Sequence, residues 1–148
     1  MADDIIRRMG FLCLGSRFKR IGERMQADVA RFIESEGLDL QPAQCPVIAA
    51  LDRNGTMTVG ELVEALGVAQ PGVTRNITRL AELGIVQSAR TMHDGRCTTV
   101  ALTPAGRKLA DRLKRATWPR IEAAVAEVCA GLSGPLLKQL ESIEDALA

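Results

Sequence analysis

Residues 59–86 read VGELVEALGVAQPGVTRNITRLAELGIV. In the first half, Val59, Leu62, Val63 and Leu66 recur at helical spacing, and Thr58-x-x-Glu61 has the form of a capping box that opens the helix. Gly67 suits the position just past a helix end, where the left-handed conformation is favoured. A second helix is predicted from about Gln70 or Pro71 to Leu83, closed by Gly84. Only Gly67-Val68-Ala69 separate the two, a spacing that fits a helix-turn-helix. At ~100° per residue, Val73, Ile77, Leu80 and Gly84 share one face of the second helix, while Pro71, Arg75, Thr78, Arg79 and Glu82 fall opposite. Gln70, Thr74 and Asn76 lie toward its N-terminal end and flanks.

An outward face carrying arginines suits a duplex. Arginine can bind guanine O6 and N7 through two hydrogen bonds, and Gln or Asn can do the same for adenine. A helix N-terminus adds N–H groups and positive dipole for a phosphate. Taken alone, the same pattern also describes an ordinary helical hairpin with a solvated face.

Residues 91–106, TMHDGRCTTVALTPAG, shift the balance between these readings, although Asp94-Gly95-Arg96 taken alone also reads as an ordinary solvated turn. Ile85–Arg90 and Cys97–Leu102 look like short strands flanking Met92-His93-Asp94-Gly95, and Asp-Gly is a strong hairpin signal. A hairpin directly after a helix-turn-helix makes a winged helix. Arg96 at its tip can enter a minor groove, where narrow A·T tracts concentrate negative potential. His93 is expected to be a turn residue. Thr103-Pro104 then reads as an N-cap followed by a first-turn proline.

Working outward, apolar residues from Ile5 to Ile33 predict one long helix ending near Gly37, with Gly10, Gly15 and Gly22 inside it. A further helix starts near Pro42 and stops at Asn54-Gly55. After Thr103 a long helix runs to about Gly131, with a bend expected at Trp118-Pro119 because proline removes a backbone donor. Leu132-Ser133-Gly134-Pro135 breaks it, and a last helix carries Leu136, Leu137, Leu140, Ile143 and Leu147. That stripe has little else in the chain to cover it, and the stripe from Ile5 to Phe32 is similar. Both argue for a homodimer, against the alternative that they fold back into a monomeric bundle.

The fold class expected is mainly α with a small β-hairpin wing (α+β), in a single chain, 1–148. Residues 42–103 form a winged helix-turn-helix lobe, 104–118 a connecting helix, and 1–37 with 119–148 the dimerisation helices.

Composition narrows the chemistry. The chain has 148 residues, 47% hydrophobic and 25% charged, enough for a packed core. Net charge is +1, so a nucleic-acid role must rest on local placement of charge. Aromatics are 3% with no tyrosine, which argues against a stacking platform for single strands. Four cysteines without a C-x-x-C pair, and one histidine, argue against zinc and against a disulfide framework. No nucleophile elbow, phosphate loop or dinucleotide fingerprint is present, so neither an enzyme nor a cofactor is expected. No apolar run reaches the ~18 residues of a membrane span. The start Met1-Ala2-Asp3-Asp4 is unlike a signal peptide, so the expected location is cytoplasmic.

The sequence resembles the MarR family of winged-helix transcriptional regulators. The match runs from LQPAQCPVIAAL through TVGELVEALGVAQPGVTRNITRLAELGIV to DGRCTTVALTPAG, and the terminal helices extend it over nearly the whole chain. Its specific part is the D-x-R…L-T-x-x-G string after the T-R…L…G helix. The resemblance implies a homodimer with interlocked terminal helices, each winged lobe addressing half of a pseudo-palindromic double-stranded operator. It implies a repressor released by a small-molecule effector or by oxidation. Gln70, Pro71, Thr74, Arg75 and Arg79 fall where members contact the major groove, with Asn76 a flanking candidate. Arg96 falls on the wing arginine and Asp94 on the aspartate that props the wing.

Three positions depart from the family pattern. Ala69 replaces a frequent Ser or Thr N-cap, Gln41 a frequent Thr before Pro42, and Ser88 a frequent Arg after the first strand. Cys13 is the candidate redox thiol, with Arg17 four residues on; the alternative is a small buried hydrophobe. Arg107, Lys108, Arg112, Lys114, Arg115 and Arg120 form a basic segment with only Asp111 opposing, which reads as a solvated face, as extra phosphate contacts or as a seat for an acidic ligand. A thiol-based redox regulator and a winged-helix protein-interaction module without DNA binding stay open as alternatives.

Overall fold

The computed structural model describes residues 3–90, 97–132 and 134–148. Among them are eight α-helices and a three-stranded antiparallel sheet.

The N-terminal segment differs from the single helix expected. Helix α1, Ile5–Arg8, is a single turn capped by Asp4, whose carboxylate accepts the Arg7 N–H at 3.1 Å. Gly10 then adopts φ +55°, which breaks the α-helical path, and a 3-10 turn at Gly10–Cys13 leads into α2, Leu14–Ser35. An ion pair from Arg20 to Asp4, 3.0 Å, folds α1 back along α2. Gly15 and Gly22 stay helical, and a Cβ at either would meet nothing within 4 Å, so neither marks a close helix approach within the chain.

Pro42–Gln44 form a 3-10 turn, and α3 spans Cys45–Asn54. The cause is Pro46: it has no N–H to return to the Pro42 carbonyl, so the Cys45 N–H makes the shorter bond to it instead. The Gln44 side chain accepts the Gln41 N–H at 2.8 Å, so Gln41 opens this turn through its backbone. Gly55, φ +78°, ends α3.

Strand β1, Met57–Thr58, was not anticipated. Helix α4, Val59–Leu66, follows it, then α5, Gln70–Glu82. Strands β2, Val86–Arg90, and β3, Thr98–Leu102, pair antiparallel from Val86 opposite Leu102 to Arg90 opposite Thr98. Strand β1 adds to the other side of β3, with Met57 opposite Val100.

Helix α6, Pro104–Arg112, begins at the Thr103 N-cap. The deviation expected at Trp118-Pro119 is a wide turn over Leu113–Thr117, in which the Trp118 N–H reaches the Leu113 carbonyl five residues back. The next donor is missing because Pro119 has none. Helices α7, Trp118–Cys129, and α8, Leu136–Leu147, complete the chain.

One core joins α2 through β3 to the turn after α6. Ile33 of α2, Val47, Ile48 and Leu51 of α3, Leu62 of α4, Val73 and Leu80 of α5, Val100 of β3 and Leu113 are almost wholly buried. A side chain of this size is worth about 1.5–3 kcal/mol when buried. The ends of the chain are the opposite. No residue of α8 is buried, and Phe11 and Leu147 are 92% and 82% exposed. Among the described residues no helix is long and apolar enough to cross a membrane.

Candidate nucleic-acid interface

Local signals set the two helices of the candidate site. Thr58 Oγ1 accepts the Glu61 N–H at 3.1 Å, and Glu61 Oε2 accepts the Thr58 N–H at 2.6 Å, so the capping box is complete. The Thr58 N–H first, and then the Thr58 hydroxyl, which donates to Glu61 Oε2 at 2.9 Å, hold the Glu61 carboxyl below its ordinary pKa. Gly67 closes α4 with φ +60°, where a Cβ would be strained. Ala69 caps α5 without a side-chain acceptor.

The opening of α5 offers fewer N–H groups than expected. Pro71 carries none, and the Gly72 N–H turns back onto the Ala69 carbonyl at 3.0 Å. A phosphate there would lean more on side chains than on free backbone donors.

Helix α5 buries Val73, Ile77 and Leu80 and exposes Gln70, Pro71, Thr74, Arg75, Thr78, Arg79 and Glu82, as the helical spacing requires. The exposed residues differ in their company. Arg75 stands in solvent and meets no carboxylate among the described residues. Arg79 is held: Nη2 lies 3.0 Å from Asp39 Oδ2 and Nη1 3.2 Å from Glu82 Oε2. Asn76 is half-buried and donates from Nδ2 to the Ala43 carbonyl at 3.3 Å, which turns it aside from the outward face.

Behind α5 a groove of about 500 Å³ runs to the sheet, lined by Gln70, Thr74 and Thr78 on one side and by Thr58, Ser88 and Thr98 on the other. Sequence reasoning picked out Gln70 and Thr74 but missed Thr58, Ser88 and Thr98 as part of this surface. Thr58 reaches the groove where β1 turns into α4, beside Val59 and Gly60, which also line it. A shallower surface over Gln70, Pro71, Thr74, Arg75 and Thr78 continues it outward. The hydroxyls, the Gln70 amide and the Arg75 guanidinium are all groups that bind phosphates and base edges.

The sheet is fastened to α5 by Thr103. Its hydroxyl donates to the Gly84 carbonyl at 2.6 Å and accepts the Gly106 N–H at 3.0 Å, while its own N–H donates to the Ile85 carbonyl at 3.0 Å. Asp94, Arg96 and His93, expected at the hairpin tip, lie outside the described residues.

The basic segment is largely engaged within the chain. Arg107 donates to the Leu102 carbonyl and Arg112 to the Glu36 carbonyl, both at 2.9 Å. Lys114 pairs with Asp52 at 2.8 Å, and this bond raises its pKa. Arg120 pairs with Glu36 at 2.5 Å and lies 5.0 Å over the Phe32 ring. These contacts tie the segment to β3, to α3 and to the end of α2, while all six basic residues stay exposed, as a solvated face requires.

Cys13 is half-buried at the N-cap of α2, in the 3-10 turn rather than inside a long helix. Burial pushes the Cys45 thiol up, which works against a reactive thiolate there.

Comparison with known proteins places this arrangement. A family model described as the MarR family matches residues 38–96. The chain is 32% identical over 108 residues to the HTH-type transcriptional regulator FarR of Neisseria gonorrhoeae, covering 70% of this chain and 73% of the relative. Among solved structures it resembles a mutant MarR from E. coli complexed with operator DNA, at 20% identity, TM-score 0.75, and coverage of 98% and 99% of the two chains. It likewise resembles the M. tuberculosis transcriptional regulator MOSR in complex with DNA, at 22% identity, TM-score 0.74, and coverage of 91% and 96%. The two structures establish a common fold; FarR carries the kinship in sequence.

Proposed function

This chain belongs to the MarR family, and from that premise we propose that it is a homodimeric, sequence-specific double-stranded DNA-binding regulator that represses until a small effector releases it. The observation that carries the reading is the outward face of α5. Gln70, Thr74 and Arg75 are exposed on one side of a helix whose other side is fixed in the core. These three read base edges in the major groove, and Pro71 packs at the rim where the helix enters. Arg79 adds a contact at the far end of the helix. Asn76, bound to the Ala43 carbonyl, orients the helix. Asp94 and Arg96 serve the wing, with Arg96 in the minor groove.

The uncovered ends of the chain support the dimer. Phe11, Leu12, Leu137 and Leu147 are each more than 70% exposed, at 92%, 78%, 74% and 82%. Such apolar surface at both termini suits helices 1–37 and 119–148 interlocking with a second copy. The resulting two-fold matches a pseudo-palindromic operator. For the effector, an apolar cleft of about 230 Å³ between α2 and α7, lined by Met25, Val29, Phe32, Ile121, Val125 and Val128, is the candidate seat. The working location is the cytoplasm.

Salt dependence tests the function. If α5 and the wing neutralise several phosphates, log K falls linearly with log salt, at a slope of about −0.9 per phosphate. A duplex affinity that does not respond to salt favours the protein-interaction alternative.

A further inference from the structure

Two side chains of α5 reach sideways onto the segment that leaves α2. Asn76 bonds the Ala43 carbonyl, and one turn on, Arg79 bonds the Asp39 carboxylate. Arg79 also meets Glu82. One guanidinium thus faces two carboxylates, and this corner of the outward face carries net negative charge. Arg75, a turn earlier, has no such company among the described residues.

The Arg79 cluster is open to water. The side chains of Arg79, Asp39 and Glu82 are 47%, 74% and 59% exposed. Ion pairs in such surroundings are weak and exchange readily. A phosphate competes with a carboxylate for the same planar fork of donors. Asp39 therefore presents Arg79 with an intramolecular rival to the duplex, on the side of α5 that would approach it.

We propose that Asp39 is a positioning residue of the duplex site: it holds Arg79 turned onto the segment leaving α2, and a DNA phosphate has to take the guanidinium from it. This rests on the reading of α5 as the DNA-contacting helix. The exchange makes Arg79 a weaker contributor than Arg75. It also makes Asp39 an acidic group whose loss strengthens DNA binding, the reverse of what damage to the fold would do.

A double-mutant cycle on full-length protein tests this, using a duplex selected from a random pool. Asp39→Asn tightens binding about threefold to fivefold, the upper end of the range of an exposed pair. Arg79→Gln weakens binding, and in that background Asp39→Asn changes nothing. Equal tightening in both backgrounds would mean a general charge effect and would overturn the proposal, as would weakened or unchanged binding by Asp39→Asn alone. Thermal unfolding of each variant within about 2 °C of wild type, the expectation for exposed substitutions, confirms that folds are being compared. A wild-type protein that retains no duplex sinks the DNA reading, and the competition with it. A wild type that binds, with no coupling in the cycle, sinks the competition alone.

Discussion

A Cβ placed on Gly106 would stand 2.0 Å from the carbonyl oxygen of Ile85. No side chain fits there without backbone movement, because the obstacle is main chain, just past the Gly84 closure of α5. The same carbonyl accepts the Thr103 N–H, so strand, cap and α6 share one contact point. Gly106→Ala should therefore cost about 2–3 kcal/mol, in the upper range of overpacking. For a chain of this size that lowers Tm by about 5–10 °C. A Tm within 1 °C of wild type, the effect of a neutral surface change, would contradict the close approach.

The Thr58–Glu61 box predicts a pH-dependent cap. Thr58→Ala removes an N-cap acceptor, a loss of about 1 kcal/mol in urea unfolding at neutral pH. Glu61 has a folded-state pKa below its ordinary value. Its contribution is fully present above the ordinary carboxylate range, near ~4.3, and fades as pH falls through the lowered folded value. The gap between wild type and Glu61→Gln should thus narrow on acidification through that window. A gap that widens there would mean the sign is wrong.

Arg75→Ala is expected to weaken operator binding by about 1–3 kcal/mol and to relax preference at one base pair. Arg96→Ala should weaken binding more evenly across sequences. Gel shifts against a panel of single-base variants of the duplex separate the two patterns. Both variants binding like wild type would remove α5 and the wing as the contact elements.

Cys13→Ser should leave both stability and DNA release unchanged, because the thiol sits half-buried at a helix entry. Peroxide-driven release from DNA, followed by fluorescence anisotropy, is the check. Release by wild type that vanishes in the serine variant would make this chain a redox regulator.

What the sequence disclosed was chiefly what neighbouring residues decide. The Thr58 capping box, the Gly67 and Gly84 closures and the Thr103-Pro104 start each depend on contacts within four residues, and each is where the local chemistry puts it. The outward face of α5 followed from helical spacing alone. Other features depend on residues far apart in the chain. Asp39 meets Arg79 across 40 positions and Ala43 meets Asn76 across 33, so no spacing could announce them. The basic segment showed only Asp111 against it in sequence, because its other partners, Asp52 and Glu36, come from α3 and from the end of α2. Strand β1 has two residues, too few for any period to register. The break at Gly10 was ambiguous because glycine inside a helical pattern is tolerated at a cost of about 1 kcal/mol, as Gly15 and Gly22 are.

Selecting duplexes from a random pool with the full-length protein tests the central claim most directly. The account predicts enrichment of a pseudo-palindrome whose two half-sites are centred about one helical turn apart, ~34 Å. A recovered pool no different from the input, or an isolated half-site without a mate, would contradict it.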